Sequence, residues 1–177
     1  MIIFGLVVAA GLSCLSLLYV SAQDNALSDT QVSKIKSNCI STKNTLNQLH
    51  TSDALLRVNR GQIYELIQTK LMDKFNERLA SNKLGGENFK TITTNYGTAL
   101  DGFRQDYKLY EEQLSSAIAI DCDVHPIAFY DAIKSARTQR EAVYADIKYL
   151  NQFIDQYQSV LSQFDKDYKA ASKGVSR

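Results

Sequence analysis

The side chains able to do covalent or ionic chemistry are few and widely spaced in this chain of 177 residues. Cys39 and Cys122 lie in its body, and Cys14 lies in an apolar N-terminal stretch. In an oxidising compartment the first two are expected to pair as a disulfide; the alternative is two reduced, buried small hydrophobes. The densest set of candidate ligands is Asp121-Cys122-Asp123 with His125, but neither His50 nor His125 has partners at a recognised metal spacing. Asp beside a helix start is usually a cap, so neither a metal site nor a cofactor is expected.

Asp53 and Arg140 are charged residues set in otherwise apolar helical stripes. They are expected to meet as a semi-buried ion pair inside the bundle with Tyr107 at the same height, because an unpaired charge is costly there. The alternative is that both side chains snorkel outward. Arg60 is placed to reach Asp101 or Asp146 in the same way. Lys70, Lys74 and Arg78 share one helical face and form a candidate basic docking face for an acidic surface polymer. Asp73 and Glu77 are interleaved with them, which equally describes a solubilising face. Glu111 and Glu112 diverge on a helix and suit a solvated surface rather than acid and base. No Gly-rich phosphate loop, nucleophile elbow or paired catalytic motif occurs, so the sequence identifies no enzyme.

The elements that position these residues are read from periodicity. Proline occurs once, at Pro126, and the eight glycines are scattered, which favours long helices over strands and turns. The expected fold is all-α, an N-terminal apolar leader or transmembrane helix followed by a long antiparallel three-helix bundle. Ser28 and Gln31 form a capping box, with Leu27 stapling onto Val32, and open a first helix over about 28–81. Its stripe runs Val32, Ile35, Cys39, Leu46, Leu49, Leu56, Ile63, Ile67 and drifts through Leu71, Phe75 and Leu79. Ser81 to Gly86 tolerates positive φ and reverses the chain. The second helix, about 87–121, carries Phe89, Ile92, Tyr96, Leu100, Phe103, Tyr107, Tyr110, Leu114 and Ala117. The third, about 126–171, has Pro126 in its first turn and a stripe from Ile133 to Ala171 in unbroken threes and fours. This spacing assigns the repeated Tyr to core packing rather than to ligand stacking.

Residues 2–20 carry no charge and are long enough to span a bilayer, and Val20-Ser21-Ala22 resembles a signal-peptidase site. Residues 1–22 are therefore expected to be a signal peptide cleaved after Ala22 or a retained anchor, with residues 23–177 exported. Gly11 and the continuing apolar run argue against lipidation at Cys14. Counting outward from the reversal, Cys39 and Cys122 fall at similar heights, so the disulfide would tie the far end of the hairpin.

Twenty basic and nineteen acidic residues give a net charge of +1, which offers no reason to expect nucleic acid as a partner. The acid-rich middle helix is complementary to two basic neighbours. The leader, Cys39, the Gly-bearing reversal and Cys122 before the third helix resemble small uncharacterised secreted or membrane-anchored helical proteins of reduced-genome, candidate-phyla bacteria, over residues 39–164. That resemblance implies no activity. The expected partners are a membrane through residues 2–20 if these are kept, and a protein or further copies of the chain through helix faces. The expected function is a non-enzymatic structural or interaction module of the cell envelope; the alternative is a periplasmic holdase-like or apolar-ligand-binding protein.

Overall fold

A computed structural model describes residues 27–175, and they are all-helical, with no strand among the described residues. The leader, its Ala22 cleavage site and Cys14 lie outside the described residues. Among those described, no helix is long and apolar enough to cross a membrane. The elements are α1 (Asp29–Ser37), α2 (Cys39–Leu66), a π-helical turn (Ile67–Met72), α3 (Asp73–Ser81), α4 (Glu87–Ala119) and α5 (Pro126–Val175). From α1 through α3 the chain makes one rod with two interruptions; α4 runs back along it and α5 runs forward again.

Local chemistry sets the rod's ends. Ser28 Oγ accepts from the Gln31 N–H and the Gln31 side chain accepts from the Ser28 N–H at 2.8 Å, closing the capping box. At the other end the Leu84 N–H donates to Leu79 O at 2.9 Å and the Lys83 N–H to Ala80 O at 3.1 Å. This is the Schellman pattern, and its left-handed residue is Lys83, with φ of 55°. The reversal thus falls within Ser81 to Gly86 as expected, and neither Gly85 nor Gly86 adopts positive φ.

Inside the rod the first stripe also needs correction. The drift is absorbed by the π turn, which adds a residue to one turn and rephases the helix. Met72, only 2% exposed, takes the inward place assigned to Leu71, which is 62% exposed. Phe75 and Leu79 then return to the core. The turn lies close to α4, where a Cβ on Gly97 would stand 2.8 Å from the Gln68 Nε2.

The core is a seam between α4 and α5. Phe89, Tyr96, Leu100, Phe103, Tyr107, Tyr110, Leu114 and Ala117 of α4 are buried, facing Phe129, Ala136, Val143, Leu150 and Tyr157 of α5. Near the reversal Phe75, Phe89, Tyr157 and Phe164 meet edge to face with centroids 5.1 to 6.4 Å apart. At the opposite end Cys39 and Cys122 form a disulfide with Cα atoms 5.6 Å apart, packed on Phe129. Lys43 Nζ donates to Ile120 O at 3.1 Å and ties α2 to the same connection.

The seam contains one electrostatic defect. Asp146 of α5 faces Asp106 of α4, and its Oδ2 is sealed from solvent and receives no hydrogen bond. Desolvation first, and the Asp106 charge second, push the Asp146 carboxyl up from 3.8 to about 6. The folded chain thus holds this proton more tightly than the unfolded chain, so stability falls as pH rises through that interval. Asp146→Asn should raise the stability at pH 7 by about 1 to 2 kcal/mol, allowing for partial exposure, and leave it unchanged near pH 4. Denaturant titrations at the two pH values measure this. The disulfide closes a loop of 83 residues, so replacing both cysteines with Ser should remove about 4 kcal/mol. A thermal melt followed by circular dichroism should then shift down by about 10 °C.

Candidate functional site

Midway along the molecule α2 ceases to be apolar on its inward face. Between Leu49 and Tyr64 the inward positions are held by Asp53, Leu56, Arg57 and Arg60, and in this stretch only Asp53 is buried. Polar side chains give α2 no apolar reason to close on α5, so the two stand apart. A groove of about 600 Å3 opens between them, within the range of about 300 to 1,000 Å3 found for ligand sites. Its floor is Phe103, Tyr107 and Tyr110 of α4 with Val143 and Ile147 of α5; Leu56 and Tyr144 flank it, 48% and 63% exposed.

One node bridges the walls. Asp53 accepts from Tyr110 OH at 2.7 Å, from Arg140 Nε at 2.9 Å and from Arg140 Nη2 at 3.3 Å. The carboxylate is thereby satisfied, as a buried charge must be. The structure brings Asp53 and Arg140 together as a half-buried pair, since the Arg140 side chain is 52% exposed. This is the semi-buried pairing expected from the sequence: with α2 and α5 apart, the guanidinium reaches Asp53 from a gap that stays open to water. The hydroxyl from α4 is that of Tyr110. Tyr107 lies close enough to feel the Asp53 charge, yet it stacks edge to face on Tyr110 and takes Arg57 over its ring at 5.1 Å.

These surroundings keep the phenols neutral. Burial first, and then the Asp53 charge, push Tyr107 up to about 12. Burial and the hydrogen bond to Asp53 push Tyr110 up as well, while Arg140's own hydrogen bonds to Asp53 hold its charge in place.

Four arginines line the groove. Arg140 serves Asp53, and Arg57 is bridged to Glu111 at 2.9 Å. Arg60 and Arg137 have no hydrogen bond or ion pair among the described residues; Glu141 is the further acid on the lining. The expected partners of Arg60 are otherwise engaged: Asp101 pairs with Arg104 at 3.0 Å, and Asp146 faces Asp106 in the seam. The sequence signal for this groove was present as the charged interruptions of the first stripe, but it read as an ion pair rather than an opening.

The remaining candidates lie elsewhere. Lys70, Lys74 and Arg78 are exposed near the reversal, with Lys74 bridged to Glu77 at 2.7 Å. Asp121 Oδ1 accepts from the Asp123 and Val124 N–H groups, which is a capping role. His50 Nε2 lies 3.4 Å from Ser115 Oγ, far along the chain from His125. No protein-family model, curated protein or solved structure matches the chain.

Asp53→Ala would leave the buried Tyr110 hydroxyl without its acceptor and free Arg140. The loss should be about 1 to 2 kcal/mol, moderated by the exposure of Arg140. Arg140→Ala should cost less, about 1 kcal/mol, because Asp53 keeps the Tyr110 hydrogen bond. Chemical denaturation of the two variants checks the order.

Proposed function

We propose that this chain is a non-enzymatic interaction module of the cell envelope: an exported three-helix bundle, clamped at one end by a disulfide, that receives a protein partner in the groove between α2 and α5. The observation carrying the reading is the groove itself, a gap flanked by the exposed Leu56 and Tyr144 and by the unpaired Arg60 and Arg137 in a fold otherwise closed on its aromatic seam. A close-packed molecule would have used apolar residues at 57 and 60.

The chemistry of the lining supports binding over catalysis. No His, Cys or Ser faces the groove, Tyr107 and Tyr110 are held neutral, and its buried carboxylate is occupied by two donors. The one carboxylate of the lining without a partner among the described residues, Glu141, is exposed and has no His, Cys or Ser beside it on the lining to activate. Apposed Cys39 and Cys122 support an oxidising compartment, consistent with export by the leader. Residues 2–20, if retained, would hold the module at a membrane.

A second reading draws on a specific feature of the same rod. Leu55, Leu56, Val58, Ile63 and Leu66 of α2 are each about half exposed or more, which suits a holdase-like or apolar-ligand-binding protein. The two readings separate in the cell. A photoreactive phenylalanine analogue at Tyr144 should give one discrete protein adduct, and the same group at Lys166 none. A broad ladder of adducts from Tyr144 would favour the holdase reading, and no protein adduct there would reject a partner in the groove.

A further inference from the structure

We infer that the groove takes an acidic amphipathic helix of a partner protein as a fourth rod beside α2 and α5. This deepens the interaction reading and rests on it. The argument begins with shape: two parallel helices with an apolar floor between them present the seat of a missing bundle neighbour, and an amphipathic helix lays its apolar face into such a seat. Leu56, Tyr144 and Ile147, the accessible apolar side chains of the lining, would receive that face.

Charge then selects among helices. Arg60 and Arg137 are exposed, line the groove and lack an ion partner among the described residues. They stand on opposite walls. Asp53 and Arg140 fix the common height of α2 and α5; Arg60 lies seven residues beyond Asp53, and Arg137 lies three before Arg140. At 1.5 Å per residue the two cations are separated by about 15 Å along the groove. One carboxylate or phosphate headgroup cannot meet both. A helix with carboxylates about ten residues apart, one on each flank of its apolar stripe, can. Glu141 opposes this with a single charge, against the two unpaired arginines. An uncharged apolar segment such as residues 2–20 would gain nothing from either arginine. A second copy of the chain seated groove to groove would set these cations against one another.

The test exploits the absence of tryptophan from the chain. A synthetic Leu-rich amphipathic peptide of about five turns, with Glu flanking the apolar stripe and one Trp within it, is titrated with the oxidised protein. Burial is read as a blue shift of the Trp emission. The comparison peptide carries Lys in place of each Glu. Binding of the Glu peptide, a loss of about tenfold or more in affinity in the Arg60→Glu/Arg137→Glu variant, and a gain of the Lys peptide by that variant support the inference. Both positions are exposed, and thermal melts with Arg60→Gln/Arg137→Gln as a neutral control keep folding separate from recognition. Equal binding of the two peptides, indifference to the substitutions, or no binding of the Glu peptide at about 1 mM overturns it. So does a concentration-dependent dimer that occupies the groove. A discrete adduct at Tyr144 without binding of the Glu peptide would leave the interaction reading standing and reject only the acidic helix.

Discussion

The packing of α4 against α5 is the interaction on which the rest of the molecule depends. Their facing stripes supply most of the buried apolar side chains, from Phe129 near the disulfide to Tyr157 near the reversal. Burial at that density offsets the ordering of two long helices, which propensity alone would not do. The first rod is a lodger on this pair. It buries Tyr64, Met72 and Leu79 toward one end and Cys39 at the other, and between them only the carboxylate of Asp53. Fixed at both ends and weakly apolar between, it can stand away from α5 without losing its place.

Tyrosine makes this arrangement workable. A buried phenol needs an acceptor, and three of the five buried here find it on the first rod. Tyr96 OH donates to Tyr64 O at 3.0 Å, Tyr157 OH to Met72 O at 3.3 Å, and Tyr110 OH to Asp53. Two of these acceptors are backbone carbonyls, one three residues before the π turn and one at its last residue. The widened turn therefore rephases the apolar stripe close to the two sites where α4 and α5 hold the rod. Asn76 extends the network, donating to Thr93 Oγ1 and accepting from Tyr157.

A local rule is broken where function is proposed. Consistency of pattern, packing and polar satisfaction holds along α4, and it lapses on α2 from Asp53 to Ile63, where inward places carry charge and apolar side chains face water. Such lapses gather at functional sites because binding needs surface that folding leaves unused. The disulfide and the aromatic cluster at the two ends compensate for the open middle.

All-helical character was legible from the sequence alone, because a 3.6-residue apolar period with one proline admits little else. The stripe on α4 was equally legible, since every one of its positions meets a neighbour whichever way the rods pack. The pairing of Cys39 with Cys122 followed from counting residues along helices of known rise. What the sequence could not decide was how tightly α2 and α5 approach. That distance is a balance between the aromatic width of α4 and the charge on α2, and it turned Leu56 and Ile63 from expected core into exposed wall. It also decided that Arg140 stays half exposed while it holds Asp53 directly, rather than lying in a closed core, and that Met72 displaces Leu71 by way of a π turn. Periodicity states which face of a helix is apolar; only the assembled rods determine how much of that face finds a partner.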